Sequence, residues 1–252
     1  MEQGGLRLTS ADYKQPLVSI VCVTFNAART LPQLINSIAE EKAETIEFII
    51  IDGNSDDNTI DILKQNDHQI DFWLSEPDNG IYDAMNSALK YVKGQWIIFL
   101  GADDLLSKDF KNILSLLNDT GTIYYGNATY YGTAFAKVYD DYYLTKLNIC
   151  HQVIFYPKSV FAKYKYDLRY TVYADYHLNL RCWHDPEFKF VHVNHFIAIF
   201  PEGGFSYVTK DTLFERDREM LFKKYLRPTS YYRYLNRTIG FWRMLKSLVQ
   251  NK

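Results

Sequence analysis

The chain has 252 residues, 47% of them hydrophobic, and its 28 Lys and Arg nearly balance its 30 Asp and Glu to leave a net charge of −2. That suits one domain with a real core, or a domain with a small appendage, and it excludes nucleic acid as the main partner. No run approaches the roughly 18 unbroken apolar residues of a spanning helix. Residues 1–15 are polar and lack a signal-peptide core, and the scattered Cys22, Cys150 and Cys182 fit reduced thiols of a cytoplasmic protein.

In chain order, VSIVCVT (18–24) reads as a strand buried on both faces, followed from Thr30 by a helix with Leu31, Leu34, Ile35 and Ile38 on one side. IEFIIID (46–52) is a second strand, Asp56 to Thr59 cap a short helix, and DFWLSE (71–76) is a third strand. Ile81, Ala84, Met85, Ala88, Leu89 and Val92 share a helical face. A fourth strand, from Trp96 to Leu100, ends in Gly101-Ala102 and two adjacent carboxylates, Asp103 and Asp104.

This alternation predicts an α/β fold with a doubly wound, mostly parallel sheet whose ligands gather at the C-terminal strand ends. No Gly-x-Gly-x-x-Gly opens a helix, which argues against a dinucleotide dehydrogenase. Asp103 and Asp104 offer hard oxygens suited to Mg²⁺ or Mn²⁺ and, through the metal, to a diphosphate. The plainer use of the pair is helix capping, with a helix running on from Leu105.

After Leu105 the texture changes. Residues 122–143 are dense in tyrosine and β-branched residues and predict a smaller mixed or antiparallel region. From Arg227 onward there are six Lys or Arg and no acid, and Leu235, Ile239, Trp242, Leu245 and Val249 would line one face of a helical tail. Such a tail could lie on the anionic inner leaflet, pack on the rest of the chain or form a dimer contact.

Seven segments together resemble family 2 glycosyltransferases with a GT-A fold, of the non-processive bacterial kind that builds surface polysaccharides. They are VSIVCVTFNAARTL (18–31), EFIIIDGNSDDNT (47–59), SEPDNGIYDAMNSAL (75–89), GQWIIFLGADD (94–104), CHQVIFY (150–156), VYADYHLNLR (172–181) and PEGGFS (201–206). The organisation this implies is a polar extension (1–15), a GT-A domain (16–226) with nucleotide-binding (16–104) and acceptor-binding (105–226) halves, and a basic amphipathic tail (227–252).

The resemblance implies an inverting, metal-dependent transfer of one sugar from a nucleotide-diphosphate sugar, such as a UDP-sugar, to a saccharide or lipid-linked oligosaccharide. Asp103 and Asp104 match the metal motif, with Asp104 the preferred direct ligand; the family often has an acid where this chain has Gly101. Asp52 matches the acid that binds the base, and its carboxylate can accept the N–H of uracil, thymine or guanine. Thr24 matches a nucleotide-side residue, and Asn26 that or a turn holder. Asp56 is a ligand contact or a helix cap in equal measure. Asp78 and Asp83 fall near the donor sugar or diphosphate, although Asp83 also suits a first helical turn.

Asp175 matches the base that takes the acceptor proton. His151 and Gln152 match an acceptor- or sugar-side segment, and Gly203 and Gly204 a flexible Gly-Gly-x-Ser stretch at the site mouth. The processive Gln-x-x-Arg-Trp motif is missing from the sequence. Two other readings remain: a degenerate nucleotide-sugar-binding scaffold, and a sugar nucleotidyltransferase, which should carry a glycine-rich basic loop where this chain has FNAART.

Overall fold

The computed structural model describes residues 1–9, 15–130, 132–200 and 209–250, so Gly203 and Gly204 lie outside the described residues. Four parallel strands form its centre: β2 (Val18–Thr24), β3 (Ile46–Asp52), β4 (Phe72–Ser75) and β5 (Trp96–Gly101). Every residue of β2, β3 and β4 is buried, as their unbroken apolar runs require of strands covered on both faces. Helices α2 (Leu31–Glu41), α3 (Thr59–Gln65) and α4 (Ile81–Ala88) make the crossovers.

Residues 1–9 join the sheet edge. Strand β1 (Glu2–Gly4) pairs antiparallel with β4, and one turn of helix, α1 (Leu6–Thr9), follows it. Helix α4 stops at Ala88, short of Val92; Lys90 and Tyr91 donate to carbonyls three residues back, a tighter winding that keeps Val92 buried.

Beyond the acids, the expected helix at Leu105 is instead β6 (Leu105–Leu106), because these residues find backbone partners in Ala198 and Ile199 of β10 (Lys189–Phe200). The next helix, α5, waits until Lys111–Leu114. The tyrosine-rich segment is only partly strand: β7 (Thr122–Tyr130) pairs parallel with β10 and antiparallel with β8 (Thr133–Phe135) and β9 (Ile154–Pro157). Residues 136–142 are irregular and held by ring contacts such as Tyr125–Tyr139 and Tyr139–Tyr143.

β9 also pairs with β5, placing Tyr156 beside Ile97, so both halves share one sheet in the order β1-β4-β3-β2-β5-β9-β7-β10-β6, with β8 on β7. Helix α6 (Lys158–Lys163) follows β9, and α7 (Ala174–His184) carries Asp175. Helix α8 (Thr212–Tyr225) starts at Asp211, whose carboxylate accepts from Phe214 N and also from Val172 N and Tyr173 N, tying α8 to the entry of α7. The terminal helix α9 (Pro228–Gln250) packs its first turns on α8 and on Tyr142, through the Phe222–Tyr234 rings and Arg233 stacked 3.8 Å above the tyrosine. Among the described residues no helix is long and apolar enough to cross a membrane.

One ion pair anchors the first residues to the base of the sheet. Glu47, fully buried on β3, bonds the Arg7 guanidinium and the Ser19 hydroxyl, and accepts from Lys93 N and Gly94 N. Arg7 also donates to Tyr91 O at 2.6 Å. Removing one member of a buried pair leaves an uncompensated charge. Arg7→Ala is therefore expected to lower stability by about 3 kcal/mol, seen as an earlier urea midpoint at unchanged slope; a midpoint within error of the parent would contradict it.

Candidate active site

The parallel register sets Thr24, Asp52 and Ser75 side by side at the C-terminal edge, with Gly101 next to Val23. Thr24 is buried and its hydroxyl has no hydrogen-bond partner among the described residues. Phe25, which follows, is 64% exposed at the mouth. Asn26 adopts φ 50°, a left-handed conformation asparagine tolerates, and its side chain accepts from Asp56 N at 3.0 Å while its own N–H donates to Ser55 Oγ at 2.8 Å. It is thus a turn holder joining the loops after β2 and β3.

Asp52 is fully buried, and its carboxylate is already engaged: Ser55 N at 2.9 Å, Ser55 Oγ at 2.5 Å and Ser75 Oγ at 2.7 Å donate to it. It organises the loop through these serines, which take three of its about four acceptor sites. Asp56 does not cap α3. It is exposed, and the neighbouring Asp57 takes that part, accepting from Thr59 N and Ala28 N. The reason is geometric: Asp57 stands two residues before Thr59 and reaches its backbone, whereas Asp56 points to solvent.

At the end of β5 the chain turns back, Asp104 N donating to Gly101 O while the Asp104 carboxylate accepts from Gly101 N at 2.7 Å. A β-carbon at position 101 would lie 2.8 Å from an Asp103 oxygen and 3.2 Å from an Asp104 oxygen. Both carboxylates fold over its α-carbon, so a larger residue here would have to push the exposed Asp103 side chain aside. Asp103 is exposed and Asp104 buried. Burial pushes the Asp104 carboxyl up to about 7, the Asp103 charge adds to that, and the Gly101 N–H, His151 and the Gln152 amide oppose it. The Cys22 thiol beneath is pushed well above its usual range, first by burial and then by Asp104, Asp103 and Asp52, so negative charge converges at this point.

Asp175 sits in the first turn of α7, 5% exposed. One oxygen accepts from Tyr176 N at 2.7 Å and lies 3.1 Å from the Tyr82 hydroxyl, whose one proton is shared with Val172 O at 2.6 Å; the other faces the Asn148 amide at 2.9 Å and His151 Nδ1 at 3.3 Å. His151 and Gln152 form a 3₁₀ turn (His151–Val153) leading into β9. Adjacent residues of this turn thus touch the two acidic centres, His151 at Asp175 and Gln152 at Asp104.

Asp78 and Asp83 stand apart from that cluster. They line a cleft of about 310 Å³ with Ser87, Lys90 and Lys165. Burial raises the Asp78 carboxyl, the Gly80 N–H opposes it, and Asp83 and Asp52 add to it. Asp83 accepts from the backbone and side chain of Asn79, closing the turn before α4, where Gly80 holds φ 111°, a conformation strained for any side chain.

Sequence reasoning missed Ser55, Asp57, Ser75, Tyr82, Asn148, Asn179 and Asp211. Asp57 was legible from its two-residue spacing to Thr59. Ser55 and Asp211 also bond three residues along the chain, to Asp52 and Phe214 N, whereas Ser75, Tyr82, Asn148 and Asn179 act across distant segments and leave no local pattern.

The profile of glycosyl transferase family 2 matches residues 19–170. A PGL/p-HBAD biosynthesis glycosyltransferase of Mycobacterium bovis (strain BCG / Pasteur 1173P2) is 34% identical over 211 residues, which cover 79% of this chain and 82% of that protein. The Escherichia coli UDP-Glc:alpha-D-GlcNAc-diphosphoundecaprenol beta-1,3-glucosyltransferase WfgD is 33% identical over 114 residues, 44% of this chain and 45% of that one. In structure, residues 1–349 of S. aureus TarS in complex with UDP-GlcNAc superpose with a TM-score of 0.66 at 15% identity, over 89% of this chain and 73% of that chain. With the acidic cluster at the strand ends, these likenesses identify the chain as a glycosyltransferase of family 2, built on the GT-A fold.

Proposed function

We propose that this enzyme is an inverting, metal-dependent transferase that moves one sugar from a nucleotide-diphosphate sugar to a lipid-linked saccharide during cell-surface glycan synthesis. One observation carries the reading: a single turn, His151-Gln152, touches a carboxylate suited to the leaving-group side, Asp104, and one suited to the acceptor side, Asp175. The names of the mycobacterial and E. coli relatives support the glycan setting, and the diphosphoundecaprenol in the second supports the acceptor class.

The donor side must receive an anion into a cluster of acids. Asp104 has Asp103, His151 and Gln152 as electrostatic neighbours, with no Lys or Arg among them. A diphosphate would be repelled there unless a cation came with it. Two converging carboxylates offer too few ligands for a closed protein cage, and among the described residues no cluster of three or more His, Cys, Asp or Glu could hold a metal. That donor set fits Mg²⁺ or Mn²⁺ completed by phosphate oxygens and water, with Asp104 the direct ligand and Asp103 beside it. When bound, the ion would neutralise charge on the departing diphosphate.

The chain's own groups do the rest. The unpartnered Thr24 hydroxyl is a ready polar contact for the nucleotide, Phe25 offers a ring to stack on its base, and Asp52 holds the loop against which the base rests. Asp78 and Asp83 edge the cleft on the sugar side. The acceptor hydroxyl attacks the anomeric carbon opposite the leaving nucleoside diphosphate. Asp175 takes the hydroxyl proton as the new bond forms, and the configuration inverts in that one displacement. The 227–252 tail, with six cations and no acid counting Arg227, would hold the site at the inner leaflet where such an acceptor resides.

Thermal melting with UDP, GDP and dTDP, each with and without Mn²⁺, is the first test. One nucleotide should raise the melting temperature only with metal, by mass action on the folded state. That shift should vanish in Asp104→Ala, weaken in Thr24→Val and survive in Asp175→Asn, which should lose all transfer; an Asp175→Asn enzyme with near-normal turnover would overturn the mechanism.

The folded protein holds the Asp104 proton more tightly than the unfolded chain, since its carboxyl titrates near 7 instead of at the ordinary 3.8. In EDTA, stability should fall as pH rises from about 4 to about 7 and then level off. At pH 8 Asp104→Asn should be more stable than the parent by about 4 kcal/mol, with the difference gone below pH 4. Equal urea midpoints at pH 8 would refute this. For the tail, sedimentation with phosphatidylglycerol vesicles should be lost on deleting residues 240–252; retention by the shortened chain would rule out the membrane role.

A further inference from the structure

A carboxylate acts as a base only if a lone pair faces the incoming hydroxyl, so what aims Asp175 matters as much as its presence. One of its oxygens accepts from Tyr176 N of its own helix and lies beside the Tyr82 hydroxyl. The other is met by the Asn148 amide at 2.9 Å and by His151 Nδ1 at 3.3 Å. Asn148 lies in an irregular stretch, so no helix or strand places it. Three hydrogen bonds do. Tyr139 donates to its backbone carbonyl at 2.8 Å, Asn179 Nδ2 donates to its side-chain oxygen at 2.8 Å, and its own Nδ2 donates to Asp175.

The direction of this chain of bonds is forced. Asn179 Nδ2 also donates to Ile149 O at 3.0 Å, and a backbone carbonyl can only accept. Asn179 must therefore turn its amino group toward Ile149 and Asn148, leaving its oxygen for the Tyr156 hydroxyl at 2.7 Å. Asn148 must then turn its oxygen toward Asn179 and its amino group toward Asp175. Asn179 is fully buried and lies one helical turn beyond Asp175 on α7, so Asn148 spans positions i and i+4 of the same face. His151 makes a longer bond whose direction depends on its tautomer, whereas the Asn148 amide donates at every pH.

We propose that Asn148 is a positioning residue that holds the Asp175 carboxylate in the orientation for proton transfer, with Asn179 and Tyr156 fixing the polarity of its amide. This rests on Asp175 as the base, and the test separates the two. Donor hydrolysis needs no acceptor, so it is measured with Mn²⁺ and a panel of UDP-glucose, UDP-N-acetylglucosamine and GDP-mannose.

Asn148→Ala should lower kcat about 10- to 100-fold with KM for the donor within about twofold. The isosteric Asn148→Asp keeps the oxygen facing Asn179 but sets a carboxylate against Asp175, so it should lose at least as much. A role limited to filling space gives the opposite order, with Asn148→Asp close to the parent. If Asp175→Asn is inactive while either Asn148 variant keeps kcat within twofold, the positioning role is wrong and the base reading stands. If Asp175→Asn itself turns over normally, the base reading fails and the proposal with it.

Discussion

The in-register parallel pairing of β2 with β3 and β5 is the constraint on which the rest of the molecule depends. Parallel strands covered on both faces must be apolar along their length, so polar groups can enter only where the strands stop. Because β2, β3 and β4 stop together, Thr24, Asp52 and Ser75 emerge as one row, with the end of β5 beside them. The loops that follow inherit that row and carry Asn26, Ser55, Asp57, Asp78 and the Asp103–Asp104 pair. A slip of one residue in any pairing would turn the terminal side chain to the opposite face and break the row.

A cluster of carboxylates is costly to assemble, and the fold contains the cost by giving nearly every buried acid donors of its own. Glu47, Asp52, Asp175 and Asp211 each accept two or more hydrogen bonds from identified groups. Asp104 is buried with the Gly101 N–H as its one backbone donor, and burial drives its carboxyl up to about 7. Unfavourable charge is thus concentrated at the end of β5, where the Asp103 charge adds to the burial of Asp104.

The β5–β9 pairing supplies the second half of the chemistry. It welds the strands after Leu105 onto the nucleotide-side sheet, and the His151–Val153 turn that leads into β9 falls between Asp104 and Asp175. The separation of the two acidic centres is therefore set by a sheet instead of by a mobile loop, and Asp211 fixes the entry of α7 from the other side.

Much of this was legible in the linear chain. Periodicity placed β2 to β5 and the helices between them, since apolar runs and helical faces are properties of neighbouring residues. Asp103, Asp104 and Asp175 were picked out by their segments, and the His151-Gln152 turn lies between Asp104 and Asp175. Other features were decided only by the tertiary structure. Leu105-Leu106 became a strand because β10 lay alongside, and the first residues became a sheet edge held by Arg7 and Glu47. The Asn148–Asn179 link to Asp175 joins residues 27 to 31 positions apart. Sequence by itself determined what each segment could become, through local spacing and polarity. Which distant donor met which buried acid followed from packing, because a hydrogen bond between far segments has no signature until both are folded into place.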